Sequence, residues 1–147
     1  MCCGSAASRL RYARWQRCTP RGVQPARSRI ANGGAVEAYL RSHNFEVVTP
    51  ENLDPAGPIA MFGAAEMIVA PHGASLANLL FCQAGTRVLE LSPEAEFRPE
   101  FWQISEKLRL CHAVLPCPTT NGAWDGEMTV DMQRLRGIFR MLTSMIV

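Results

Sequence analysis

Residues 65–81 read AEMIVAPHGASLANLLF and contain two patterns in succession. Met67–Ala70 is a continuous apolar run, which is typical of a β-strand buried on both faces of a sheet. Pro71–Ala74 is a turn of small residues around a histidine, and Ser75 follows in a position suited to capping a helix through about Phe81. The segment therefore predicts a strand, a tight turn and a helix, the repeating unit of a parallel α/β sheet.

The turn itself offers groups that bind anions. The first backbone N–H groups of a helix have no partner within it, and the helix dipole adds partial positive charge at that end. Gly73 and Ala74 leave room for a ligand to approach, and His72 can donate a hydrogen bond to a phosphate or a sugar hydroxyl. Two interpretations stay open: a diphosphate-binding turn, or a plain strand-to-helix connection whose histidine bonds to the backbone.

Helices and strands alternate over most of the chain. The apolar spacing predicts helices at residues 33–43, with Asn32 as a cap, and at residues 59–66, 75–81, 98–110 and 131–145. It predicts strands at residues 45–49, 67–70, 86–91 and 111–115. This order favours a Rossmann-like three-layer α/β domain with a mostly parallel sheet, in which ligands lie outside the carboxyl ends of the strands.

Composition limits the classes of protein that the chain can be. Its 147 residues suit one domain, and 48% hydrophobic with 19% charged residues is enough to bury a core. No apolar run approaches the roughly 20 residues that a membrane span requires, so no transmembrane segment is predicted. With no secretory signal, a cytoplasmic location is expected by default.

The charge is divided unevenly along the sequence. Residues 1–29 hold seven of the 15 Lys and Arg and none of the 13 Asp and Glu. We expect residues 1–26 to be a basic, disordered or non-native arm, and residues 27–147 to be the domain. A transit peptide or an arm for anionic lipid are the alternatives. Nucleic-acid binding is not expected, because Tyr12 and Trp15 are too few for a stacking surface.

Several kinds of site are not indicated by the motifs. The six cysteines form no CxxC pair, and we expect reduced thiols rather than disulfides or zinc. The sequence has no P-loop, no GxGxxG after a strand, no GxSxG elbow and no HExxH. No metal and no cofactor are therefore expected.

Four segments together resemble glycosyltransferase family 61. They are RIAN at residues 29–32, NFEVVTP at 44–50, the segment 65–81 and GTRVLEL at 85–91, and the resemblance covers about residues 27–115. It implies a GT-B enzyme of two facing Rossmann-like domains, which transfers a sugar from a nucleotide-sugar donor to a glycan or glycoconjugate, often in capsular polysaccharide or other surface-glycan synthesis. The chain is similar to the C-terminal, donor-binding half.

The resemblance also implies roles for individual residues. His72, Gly73, Ala74 and Ser75 would hold the donor diphosphate, with Arg29 pairing to phosphate unless it is a solvated arginine. Glu90 would accept the ribose hydroxyls, the alternative being a strand-end glutamate paired with a neighbouring arginine. Asn32 and Asn78 would have supporting roles.

The same resemblance leaves the chemistry incomplete. No Asp-x-Asp triplet is present, which agrees with metal-independent transfer, and a UDP-sugar is the expected donor. No carboxylate can be assigned as the catalytic base, which in GT-B enzymes often comes from an N-terminal domain. We expect the isolated chain to be catalytically incomplete and to need such a domain as partner. A non-catalytic module that binds nucleoside diphosphates and a truncated remnant are the alternatives, and a truncated eukaryotic relative would reside in the Golgi lumen.

Overall fold

The computed structural model describes residues 10–14, 30–48, 56–95 and 97–145. Within them lies a sheet of five parallel strands in the order β2-β1-β3-β4-β5. The strands are β1 (Leu10–Arg14), β2 (Glu46–Val48), β3 (Ala65–Pro71), β4 (Arg87–Pro93) and β5 (Cys111–Cys117). The strand order reverses beside β1, and in open α/β sheets such a switch point forms the crevice in which ligands bind.

Helices cover both faces of this sheet. They are α1 (Gly33–Ser42), α2 (Ala56–Ala64), a 3₁₀ helix (Ala74–Phe81), α3 (Glu100–Lys107) and α4 (Met132–Ser144). One apolar core joins the sheet to α1 and α4, and a second joins it to α2, the 3₁₀ helix and α3. The Rossmann-like three-layer fold is therefore confirmed.

Strand β3 shows why a continuous apolar run forms at the centre of the sheet. Met67 and Val69 belong to the core beneath α1 and α4, whereas Ile68 and Ala70 belong to the opposite core. All four side chains are at most 2% exposed. Because alternate residues face opposite sides, a strand covered by helices on both sides needs apolar residues at every position.

Strand β1 corrects the expectation for the N-terminal arm. Leu10–Arg14 pairs with β2 on one side and with β3 on the other, with Tyr12 in register with both Glu46 and Ile68. The sequence LRYAR is short and charged and lacks an apolar run, so its pattern gave no strand signal. The expectation that residues 1–26 lie outside the domain is thus wrong for this strand, while residues 1–9 and 15–26 lie outside the described residues.

The helix after β3 also differs from the prediction. It is a 3₁₀ helix that begins at Ala74, and Gly73 occupies the N-cap position without a side-chain hydrogen bond. Ser75 is the second residue of the helix, so the prediction that it caps the helix is wrong. Leu76 and Leu79 are both fully buried, and their spacing of three matches the three-residue turn of a 3₁₀ helix.

The remaining elements agree with the predictions to within a few residues. The closing helix α4 is capped by Asp131, whose carboxylate accepts hydrogen bonds from the backbone N–H of Gln133 at 2.8 Å and of Arg134 at 3.1 Å. Helix α3 ends at Lys107, earlier than predicted, and Arg109 then adopts a left-handed conformation with φ 56°. In the described part of the chain no helix has the length and apolarity needed to cross a membrane.

Candidate functional site

His72 lies directly after β3, at the carboxyl edge of the sheet. Its backbone N–H donates to the carbonyl of Leu91 at 2.8 Å, which extends the pairing of β3 with β4 by one residue. Its ring packs against Phe101, with 4.9 Å between ring centroids, and edge-on against Trp124 at 4.7 Å. The side chain is 7% exposed, so the turn holds a packed ring rather than a solvated one.

A hydrogen-bonded network runs inward from His72 across two strands to α3. Nδ1 of His72 bonds to Oε1 of Glu90, and Nε2 of His112 bonds to Oε2 of the same carboxylate at 3.0 Å. Nδ1 of His112 lies 2.7 Å from Oγ of Ser105. The side chains of Glu90 and His112 are each 2% exposed. We call these four residues the His72–Ser105 network.

The sheet register brings the network together. His112 on β5 is in register with Val88 on β4, so His112 and Glu90 lie two residues apart on the same face of neighbouring strands. Ser105 reaches them from α3, where it is 1% exposed. Each member therefore sits on a regular element or directly at the end of one.

Two opposing effects act on the pKa of Glu90. Burial raises it, but hydrogen bonds from His112 and His72 and the positive charge of the two rings outweigh burial, so that the pKa lies below its ordinary value. Glu90 is therefore ionised at neutral pH and accepts hydrogen bonds without donating any.

This arrangement bears on the two interpretations of Glu90. The partners of its carboxylate are histidines rather than an arginine; the nearest arginine along β4, Arg87, pairs instead with Glu66 at 2.5 Å. The ribose contact stays a prediction, and the geometry does not favour it because the carboxylate is buried and both oxygens already accept hydrogen bonds.

Two loops add charge and aromatic surface around His72. Arg98, in the loop after β4, places its guanidinium over the ring of Trp124, 4.2 Å from the centroid. Glu100, the first residue of α3, has Oε1 4.0 Å from Nε2 of His72 and a half-exposed side chain. Trp124 and Glu100 thus contact the histidine ring, and Arg98 lies on the tryptophan.

The loop that carries Trp124 is folded tightly. Oδ1 of Asn121 accepts from the N–H of Ala123 at 3.0 Å, and the N–H of Thr120 donates to the carbonyl of Glu127 at 3.0 Å. A Cβ at Gly126 would lie 2.0 Å from Oδ1 of Asn121, so a larger residue here would displace the side chain that holds the loop. These contacts hold Trp124 against His72.

The other predicted site residues lie in different surroundings. Gly73, Ala74 and Ser75 form the start of the 3₁₀ helix beside His72, and the side-chain amide of Asn78 donates to the carbonyl of Ser75 at 3.0 Å. Asn32 exchanges two hydrogen bonds with the backbone of Val130, at 2.7 and 2.9 Å, so it fastens α1 to the segment before α4. Arg29 lies outside the described residues.

Four residues of the site are not predicted from the sequence: His112, Ser105, Arg98 and Trp124. Glu90 and His112 are each a polar residue within a largely apolar strand, and a diagonal contact between the two strands could have been inferred from that pattern. Arg98 and Trp124 lie in irregular loops, where spacing carries no information about contact. Across the described ranges, no group of three or more His, Cys, Asp or Glu is placed to hold a metal ion.

Comparison with known proteins places the chain in a family. No curated protein matches the chain. The family model for glycosyltransferase 61 matches residues 9–89, which is more than half of the sequence and includes the β3 turn and β1. The match supports glycosyltransferase activity in general, with a sugar donor and an acceptor as substrates, and it shows that the chain belongs to glycosyltransferase family 61.

Proposed function

We propose that this chain is the donor-binding part of a glycosyltransferase that transfers a sugar from a nucleotide-sugar, most simply a UDP-sugar, to a hydroxyl of a glycan or glycoconjugate such as a capsular polysaccharide. The observation that carries the proposal is the buried hydrogen bond between Glu90 and His72. It fixes a histidine ring at the carboxyl end of β3, immediately before the start of the 3₁₀ helix.

Three features at this edge favour a diphosphate. The backbone at Gly73–Ser75 opens the 3₁₀ helix, whose first N–H groups and dipole attract negative charge. His72 can donate a hydrogen bond from Nε2 when its ring is protonated. The third feature is the positive charge of Arg98. It is the one basic residue in the loops at residues 94–99 and 118–131, and the other charged residues of these loops are five acidic ones.

The proposed chemistry is stabilisation of the leaving nucleoside diphosphate. Breaking the bond between the sugar and the diphosphate places negative charge on a phosphate oxygen, and fixed donors around that oxygen lower the barrier. Transfer to an acceptor hydroxyl also needs a general base within hydrogen-bond reach. We assign none among the described residues and propose that a further domain supplies the acceptor site and the base.

Nucleotide binding by the full chain tests the proposal. Thermal unfolding and titration calorimetry with UDP, GDP, CDP and ADP should show stabilisation by at least one of them, because a ligand at 100 times its Kd adds about 2.7 kcal/mol to stability. For a chain of this size that corresponds to a Tm increase of roughly 5–10 °C.

Two variants locate the binding. Gly73→Val should abolish the shift by filling the space at the turn, and Gly73 has extended backbone angles (φ 164°, ψ 173°) that valine can adopt. His72→Gln should weaken it, whereas His43→Gln, at the far end of α1, should leave it unchanged. The proposal fails if no nucleoside diphosphate binds to folded protein, or if Gly73→Val binds like the unmodified chain.

A further inference from the structure

We propose that His112 is a positioning residue for His72: acting through Glu90, it holds Nδ1–H of His72 on the carboxylate and keeps Nε2 as the nitrogen that faces the ligand, where it accepts from a sugar hydroxyl when the ring is neutral and donates to phosphate when the ring is protonated. The expected effect of His112 on donor binding rests on the proposed function. The tautomer of His72 can be measured without any nucleotide.

The first step is the carboxylate at the centre of the network. Glu90 is ionised and accepts hydrogen bonds on both oxygens, so each nitrogen that faces it must carry a hydrogen. Nδ1 of His72 and Nε2 of His112 are these two nitrogens. Both donate to the same buried carboxylate. A hydrogen bond to one carboxylate oxygen therefore limits rotation of the whole carboxylate, including the oxygen that faces the other histidine.

The second step is the far side of His112. Its Nδ1 lies 2.7 Å from Oγ of Ser105, which is buried. The serine hydroxyl donates to this nitrogen, so both ring nitrogens of His112 are used and the ring is anchored at two ends. An anchored His112 holds Oε2 of Glu90, and this leaves Oε1 directed at His72.

The third step is the orientation of His72. With Nδ1–H bound to Glu90, the opposite nitrogen, Nε2, faces the edge of the sheet where Glu100 lies 4.0 Å away and half-exposed. Packing against Phe101 and Trp124 prevents the ring from turning over. A neutral histidine free in water favours no such arrangement, since a hydrogen bond to one ring nitrogen is what sets the tautomer.

The direct test is NMR of the full chain with ¹⁵N-labelled histidine, at a pH at which the ring of His72 is neutral. Long-range ¹H–¹⁵N correlations should show His72 protonated on Nδ1, and His112 protonated on Nε2. Protonation of His72 on Nε2 would overturn the proposal whether or not the chain binds nucleotides.

Substitutions at His112 test the consequence. His112→Leu removes the N–H that holds Glu90, and we expect a mixture of tautomers at His72 and a loss of UDP affinity of about tenfold, the size usual for supporting hydrogen bonds around a site. His112→Gln should restore both properties, because its amide N–H can donate to Glu90 while its carbonyl accepts from Ser105.

The combined variant separates positioning from a general structural effect. In the His72→Gln background, His112→Leu should weaken UDP binding no further, since the residue through which it acts is gone. Equal losses with and without His72 would overturn the proposal. If His112→Leu does not fold, His112→Gln and the tautomer of the unmodified chain still decide it. If none of UDP, GDP, CDP and ADP binds to the unmodified chain, the proposed function is refuted instead, while NMR still decides the tautomer of His72.

Discussion

Replacing Glu90 with leucine removes the acceptor on which two buried histidines depend. Nδ1–H of His72 and Nε2–H of His112 would lose their partner, and both rings are almost completely shielded from water. An unsatisfied buried donor costs about 1–3 kcal/mol, so two of them lower the free energy of unfolding by about 2–6 kcal/mol. That is a large fraction of the stability of a domain, which is typically about 5–15 kcal/mol.

The stability contribution of Glu90 should also depend on pH. The pKa of Glu90 is lower in the folded protein than its ordinary value of 4.5, so its contribution to stability is fully present above about pH 4.5. The contribution is lost as the pH falls through the folded-state pKa, because the carboxyl group then takes up a proton in both states. The stability difference between the unmodified chain and Glu90→Leu should therefore shrink at low pH.

Urea denaturation followed by circular dichroism at pH 7.5 and at several values below pH 4.5 measures both the loss of stability and its dependence on pH. Equal m-values for the two proteins would show that the difference is one of stability rather than of compactness. Glu90→Gln, which keeps one acceptor, should lie between them. A Glu90→Leu protein as stable as the unmodified chain at pH 7.5 would refute the reasoning, and so would a difference that grows in acid.

Four further predictions concern other parts of the molecule. Gly126→Ala should destabilise the protein by about 1–3 kcal/mol and change the fluorescence of Trp124, because the added Cβ collides with Asn121. The control is Gly137→Ala on α4, where nothing lies within 4 Å of the added Cβ, and this variant should instead stabilise the protein by about 0.5–1 kcal/mol. Arg98→Ala should weaken UDP binding about tenfold, whereas Arg136→Ala, whose guanidinium lies over Tyr39 on the opposite face, should leave calorimetric affinity unchanged; equal effects would remove Arg98 from the site. Burial raises the pKa of Cys82 and of Cys117 to about 12. Iodoacetamide at pH 8 should therefore modify both thiols slowly in native protein and rapidly in urea, as measured by peptide mass spectrometry. Fast labelling of the native protein would contradict the burial. Asp131→Ala should cost about 1 kcal/mol in thermal unfolding by removing the cap of α4, and an unchanged Tm would show that the cap contributes nothing.

The parts of the fold that periodicity could predict are those with long apolar patterns. Strands β3 and β4 and helix α4 were found within a few residues because each buries a continuous run or a regular stripe. Strand β1 escaped prediction because backbone pairing on both sides, rather than its own side-chain pattern, places LRYAR in the sheet. The start of the 3₁₀ helix differs from the prediction because a serine at the cap and a serine at the second position of the helix look alike in sequence.

The site divides in a similar way. His72 could be identified because it stands in a turn whose small residues are themselves a signal. The partners of Glu90 could not, because a contact between neighbouring strands depends on register, which one sequence does not specify. Trp124 reaches His72 through a loop whose path is set by Asn121 and Gly126, and no local pattern predicts that path.

The position of β1 has a consequence for how the protein can be assembled and trimmed. This strand is synthesised before its partners, β2 and β3, which follow about 30 or more residues later, so its pairing forms only after both have been made. A chain shortened to residues 27–147 would lose the strand that joins β2 to β3. The exposed edge of β3 would then be open to pairing with another molecule, and self-association rather than simple unfolding is the failure to expect.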